Sequence, residues 1–198
     1  GFVLKNDIET LLYYCRLAFD RRLIYGSGGN ISVRSGEYFL ITPTGYSLGA
    51  LTENIISKID MDGNLLGGEK PSKESRMHLA CYKRRNDVNA IVHVHPTYAV
   101  AVSCLKDLDC GCVMPIYTAG YNARVGKLPI IKYAPPGSAE LAAMTADIIS
   151  RRNSVMLANH GIVTVGSDLH SAYGIAEEIE QNAHQYWLLG NNGRALPV

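Results

Sequence analysis

Ala90-Ile91-Val92-His93-Val94-His95-Pro96 is the stretch on which the reading of this chain turns. Apolar residues lead into His-x-His and a proline stops the run, the pattern of a buried strand that ends at its functional edge. Successive side chains of a strand point to opposite faces, so His93 and His95 project from one side, about 6 to 7 Å apart along the backbone and able to share one ion. Val92 and Val94 then face the core. A single histidine at a strand end is ordinary, whereas two on one face are a ligand pair.

Outward from that strand, the segment before it carries Pro71-Ser72-Lys73-Glu74-Ser75. Proline and serine are helix-start signals, so a helix is expected from here to about Arg84, with Met77, Leu79, Ala80 and Cys81 packing and its N-terminal amides available to an anion. Glu74 and His78 lie four apart on one helix face, so either is placed to reach the histidines. After the strand, Thr97 to Leu105 reads as a helix, Met114 to Tyr121 as an irregular strand bearing Tyr117 and Tyr121, and Lys127 to Tyr133 as a strand. Ser138 caps a helix over Ala139 to Ile149. Apolar strands at Val155 to Leu157 and Ile162 to Val165 flank Ala158-Asn159-His160-Gly161, where a histidine interrupts buried β sequence and must find a partner or ligate a metal. Leu169 to Leu189 closes the chain as a long helix whose His170 and His184 have no ligand partner at i+4 and are read as structural or exposed.

Toward the N-terminus, Asp7 to Arg22 has helical apolar spacing with Asp7 near the N-cap. It runs into Tyr25-Gly26-Ser27-Gly28-Gly29-Asn30-Ile31-Ser32-Val33-Arg34, a glycine-rich turn that serves equally as a helix-to-strand connection or as an anion loop. Glu37 to Thr42 reads as a strand followed by the turn Pro43-Thr44-Gly45, and Ile55 to Met61 as a further strand before the hairpin turn Asp62-Gly63-Asn64. The first half is a strand-rich meander whose two loops are able to converge on one ligand.

Size and composition bound the rest. With 198 residues, 47% hydrophobic and 19% charged, one domain over residues 1–198 is the default. A net charge of +1 and a pI near 7.8 leave no basic footprint for nucleic acid, and no apolar run reaches the ~18 residues a membrane span needs. Five cysteines in an odd count, without a disulfide spacing or a secretory signal, fit a reducing cytoplasm. Cys110-Gly-Cys112 lacks the second pair that would close a tetrahedral site and is read as a loop. The expected partner is a small molecule.

Three histidines on strands and one glutamate at a helix start make an N3O donor set suited to Zn2+ and usable by Mn2+, Co2+ or Fe2+. Gly28-Gly29-Asn30-Ile31-Ser32-Val33-Arg34, Ile41-Thr42-Pro43-Thr44-Gly45, Pro71-Ser72-Lys73-Glu74, His93-Val94-His95-Pro96 and Asn159-His160-Gly161, in order and at matching intervals, resemble the class II aldolase/adducin family. The resemblance implies a three-layer α/β/α fold around a mostly antiparallel central sheet, with His93, His95 and His160 as metal ligands. Glu74 matches an acid/base glutamate that ligates the metal when substrate is absent. Gly28, Asn30, Thr44, Gly45 and Ser72 fall where the family grips a substrate phosphate. The family also implies homotetramers with sites between subunits and a proton-donating tyrosine from the neighbouring chain, for which Tyr117 and Tyr121 are the candidates by position.

The activity implied first is aldol cleavage of a ketose 1-phosphate, of the L-fuculose 1-phosphate type, to dihydroxyacetone phosphate and an aldehyde through an enediolate that the metal stabilises. Where the aldolase pattern has two serines before the glutamate this chain has Ser72-Lys73, a pair suited to phosphate or to a substrate carboxylate. The stretch Pro115 to Pro129 looks closer to the family's sugar-acid phosphate decarboxylases. Decarboxylation and pentulose-phosphate 4-epimerisation are therefore the alternatives on the same site. A non-catalytic, adducin-like module is disfavoured because all four ligand positions are kept.

Overall fold

The computed structural model describes residues 2–198. Eight strands form one sheet in the order β4-β3-β2-β1-β5-β8-β7-β6. They are β1 (Asn30–Ser35), β2 (Tyr38–Ile41), β3 (Ser57–Asp60), β4 (Leu65–Gly67), β5 (Ala90–Val94), β6 (Ile130–Ile131), β7 (Ser154–Leu157) and β8 (Gly161–Gly166). Every pairing is antiparallel except β6 with β7. The first four strands make the expected meander. Helices α1 (Phe2–Asp20), α2 (Ser75–Arg84), α3 (Thr97–Ser103), α4 (Ala119–Arg124), α5 (Ala139–Ile149) and α6 (Leu169–Leu189) complete the fold.

Alternation along β5 separates two apolar layers. Val92 and Val94 pack with Leu11 and Cys15 of α1, Ala99 of α3, Tyr121 of α4 and Ala176 and Ile179 of α6. Ile91 faces the opposite way, among Met77, Cys81 and Tyr82 of α2 and Leu141 and Ala146 of α5. Helices on both faces of a mostly antiparallel sheet give the expected α/β/α sandwich. Burying both faces explains why the central strands read as near-continuous apolar runs.

Several element boundaries differ from the sequence reading, each for a local reason. α1 begins at Phe2, so Asp7 lies inside it rather than near its cap. The expected strand over Met114 to Tyr121 is irregular and then helical, because the Thr118 side chain accepts a hydrogen bond from the Tyr121 amide and opens α4. The strand expected over Lys127 to Tyr133 shrinks to Ile130–Ile131, and that over Ile55 to Met61 starts only at Ser57, after a short 3-10 turn over Glu53–Ile55. α2 starts at Ser75, which puts Glu74 at the N-cap position rather than within the first turn. No helix among the described residues is long and apolar enough to cross a membrane.

Candidate metal centre and substrate cleft

The end of β5, with His93 on the strand and His95 just beyond it, meets the Asn159-His160-Gly161 turn between β7 and β8. Antiparallel pairing sets Val94 opposite Ile162, which brings His160 beside the histidine pair. Asn159 holds a left-handed backbone (φ 57°), a conformation its short polar side chain tolerates. Gly161 is needed for closeness: a Cβ there would lie 2.5 Å from the Val94 carbonyl and 2.8 Å from the His95 ring. The three imidazoles converge as a result. His93 Nε2 lies 3.1 Å from His95 Nε2 and 3.3 Å from His160 Nε2.

Glu74 completes the group. Its side chain makes no cap bond to α2 and turns inward, with Oε2 3.0 Å from His93 Nε2 and Oε1 3.4 Å from His160 Nε2. The Ile162 carbonyl accepts from His93 Nδ1 at 2.9 Å. That bond fixes the ring and aims Nε2 at the centre, the arrangement metal-ligating histidines use. The N3O donor set suits Zn2+ and is usable by Mn2+, Co2+ or Fe2+. The residues fit such an ion on a further observation: Glu74 Oε1 is buried without a hydrogen-bond partner, and an unpaired buried carboxylate oxygen is costly.

The electrostatics point the same way. Burial alone would raise the Glu74 carboxyl, but facing His93, the bond from Asn30 and nearby His160 outweigh it and hold it well below the usual carboxylate range. Burial would lower His93, yet the Glu74 carboxylate prevails and raises it. Burial and the charge of His93 push His95 down to about 3 and His160 down to about 4. One positive charge is therefore favoured beside Glu74, and a cation shared by all three rings answers that demand better than one proton.

Above this floor opens a cleft of about 410 Å³ lined by Gly28, Asn30, Thr44, Gly45, Ser72 and Lys73 together with Glu74, His95 and His160. All the residues read as phosphate-gripping thus reach one cavity. Two loops are stitched into its rim: Pro43 bridges Pro71, the Lys70 carbonyl accepts from the Thr44 amide at 3.0 Å, and the Thr42 carbonyl accepts from the Ser72 amide at 3.3 Å. Gly45 adopts φ +81° with open space where a side chain would stand, so its backbone is accessible. Gly28 is constrained by packing instead, since a Cβ there would sit 3.1 Å from His95 Nδ1. Ser27, Gly29, Pro43 and Pro136 also line the cleft; sequence reading did not assign Ser27, Gly29 and Pro43 individually, although all three sit in loops it marked.

Three expectations change in detail. Asn30 is not a free anion ligand: it is buried, and its amide donates to Glu74 Oε2 at 2.9 Å and to Ser72 Oγ at 3.1 Å. His78 does not enter the cleft but lies behind Asn30, 2.5 Å from its Oδ1. The start of α2 is partly engaged as well, since Ser72 takes the amides of Glu74 and Ser75. Ser72 Oγ accepts from both Asn30 and Glu74, which leaves its own proton as the donor a ligand oxygen can use.

Neither tyrosine lies in this cleft. Tyr121 is wholly buried in the α1/α6 layer and its hydroxyl has no partner. Tyr117 is half-buried beside Tyr186 on a separate groove with Leu188 and Arg194. His170 is exposed near Tyr14, and His184 stacks on Tyr98 at 4.0 Å, both outside the site as expected.

Three histidines and a glutamate converging at the floor of a cleft make the donor set of a divalent-metal site, and sequence comparison identifies the family. Residues 9–187 match the class II aldolase and adducin N-terminal domain, and the chain belongs to that family. It is 43% identical over 182 residues to 3-oxo-tetronate 4-phosphate decarboxylase of Haemophilus influenzae, covering 91% of this chain and 87% of that protein. It is 39% identical over 186 residues to an L-fuculose phosphate aldolase of Methanococcus maripaludis, covering 93% and 98%. Among solved structures it superposes with TM-score 0.95 and 34% identity on Escherichia coli YgbL, which carries the threefold description aldolase/epimerase/decarboxylase, over 99% of this chain and 96% of that one. An L-fuculose 1-phosphate aldolase superposes with TM-score 0.86 and 34% identity over 98% and 90%.

Proposed function

We propose that this chain is a divalent-metal-dependent carbon–carbon lyase acting on a phosphorylated, sugar-derived ketone, and that its reaction is decarboxylation of a 3-oxo sugar-acid phosphate. The observation that carries the reading is the convergence of three Nε2 atoms and the Glu74 carboxylate at the floor of a cleft whose rim bears Lys73 and Ser72. A divalent cation held by His93, His95, His160 and Glu74 would supply Lewis-acid polarisation of the substrate there.

The chain's own residues do the rest. The Lys73 ammonium and the unspent Ser72 proton bind an anionic group at the rim, while the Thr44-Gly45 turn presents its backbone to the phosphate. Remote binding of this kind orients the reacting carbons. In decarboxylation the bond to the carboxylate breaks, CO2 leaves, and its electron pair remains as an enediolate that must be protonated on carbon. Glu74, poised at the floor, is the group placed to relay that proton from solvent to carbon. In a fourfold tetramer a neighbouring subunit would add a tyrosine, and half-buried Tyr117, unlike wholly buried Tyr121, is accessible enough to be offered.

Lys73 and the 43% identity to a decarboxylase favour this reading. Aldol cleavage of a ketose 1-phosphate stands second, supported by the 39% identity to an aldolase over 98% of its length. Metal-loaded protein tested against 3-oxo sugar-acid phosphates, ketose 1-phosphates and pentulose 5-phosphates separates them. CO2 release from the first group is expected; turnover of ketose 1-phosphates alone would overturn the assignment in favour of the aldolase.

A further inference from the structure

Behind the carboxylate of Glu74 runs a buried polar chain that the reaction above does not use: Asn30, His78, Ser32 and Tyr82, all but inaccessible to solvent. Its spacings are 2.9 Å from Asn30 Nδ2 to Glu74 Oε2, 2.5 Å from Asn30 Oδ1 to His78 Nε2, 2.6 Å from His78 Nδ1 to Ser32 Oγ and 2.7 Å from Ser32 Oγ to Tyr82 Oη. β1 pairs with β5 so that Asn30 stands opposite His93, which puts Asn30 and Ser32 on the sheet face that α2 covers. α2 supplies His78 and, one turn later, Tyr82.

Chemistry fixes the direction of every bond. A carboxylate accepts only, so the amide nitrogen of Asn30, not its oxygen, faces Glu74. Its oxygen is thereby turned to His78, whose Nε2 must carry the proton and donate. A neutral imidazole protonated at Nε2 accepts at Nδ1, so Ser32 donates to it, and the Ser32 oxygen in turn accepts from Tyr82. His78 is wholly buried and its ring is bonded to no carboxylate, so burial favours the neutral imidazole. All four bonds therefore run the same way, from Tyr82 to the carboxylate. Hydrogen bonds in such a chain polarise one another in a low-dielectric interior.

We infer that His78, with Ser32 and Tyr82 behind it, is a positioning residue that locks the Asn30 amide and so holds the Glu74 carboxylate aimed at the three histidines. The inference rests on the metal-centre reading for its consequence but not for its geometry, so the two are testable apart.

Nitrogen NMR of histidine-labelled protein reads the first part without substrate or metal: His78 is expected as the Nε2–H tautomer with an unprotonated Nδ1. The opposite tautomer would overturn the relay even if the enzyme works as proposed. Zn2+ titration of the full chain reads the second part. His78→Leu, which cannot donate to Asn30, is expected to weaken Zn2+ binding about 10- to 100-fold, the usual effect of removing a partner behind a ligand. His78→Gln, whose amide can donate in place of Nε2–H, should recover most of that loss, and Tyr82→Phe should cost less than His78→Leu. Equal loss in His78→Leu and His78→Gln would mark His78 as structural only. Unchanged affinity in His78→Leu would overturn the positioning role. Should either His78 variant fail to fold, Tyr82→Phe and the wild-type tautomer still decide. A wild-type protein that shows the tautomer but binds no Zn2+ would refute the metal centre and this consequence of the relay together, leaving only the hydrogen-bond order.

Discussion

The floor and the rim of the cleft are built in contrasting ways. His93 and Glu74, with Asn30 behind them, are buried, hydrogen-bonded and carried on or beside central strands. Thr44, Gly45 and Lys73 are exposed, on loops joined to each other by backbone bonds. Strand-borne groups with buried partners have one arrangement, as placing charge around a reacting centre demands. Loop-borne groups tolerate substitution without unfolding the sheet. On the proposed reading the floor supplies the metal-site chemistry that both named activities share and the rim discriminates among substrates, in line with relatives of two named activities resembling one chain to similar extents.

That contrast can be broken by experiment, and the largest effect belongs to the ligands. His160→Ala removes one of three converging nitrogens and should abolish tight divalent-metal binding together with activity, read by metal analysis and turnover on one preparation. Near-stoichiometric metal in the variant would disprove the floor's role.

Next comes a pH effect seated behind the floor, at His78. The unfolded chain protonates His78 below about 6.5, whereas the folded chain does not until about 3. The unfolded state therefore binds more protons in that window, and stability falls as pH drops through it. The contribution lost is roughly 4 to 5 kcal/mol at most. Denaturant unfolding of chelated protein should show wild type losing stability relative to His78→Gln between pH 6.5 and 3; parallel curves would contradict the buried, neutral imidazole.

Glu74→Gln keeps size but not the proton-accepting charge, and kcat should fall by about 10² to 10⁴, the usual worth of general acid–base catalysis. Loss of metal along with kcat would make Glu74 chiefly a ligand. Wild-type turnover would leave it only a favourable charge at a helix start.

The smallest effect is expected at the rim. Lys73→Ala should raise KM for an anionic substrate about 2- to 5-fold, from the roughly 0.5 to 1 kcal/mol of one exposed charge–charge contact, with kcat and metal content kept. A kcat loss as deep as that of Glu74→Gln would erase the distinction between floor and rim.

By itself the sequence determined what depends on local spacing. Alternation around His93 and His95 placed both rings on one face, the apolar runs marked strands buried on both sides, and the glycine and proline turns marked the loops that line the cleft. Local spacing misled where a single side chain decided an element's start, as with Thr118 opening α4 and Glu74 standing just outside α2. Only the tertiary structure decided which distant residues meet. His160 joins the pair through the β5–β8 register, Asn30 sits beside His93 through the β1–β5 register, and α2 packs so that His78 ends against Asn30 rather than in the cleft. Tyr121 looked as available as Tyr117 until packing buried it. The physical reason is that periodicity tells which way a side chain points from its own backbone, while register and packing are set by contacts between segments that spacing along the chain does not encode.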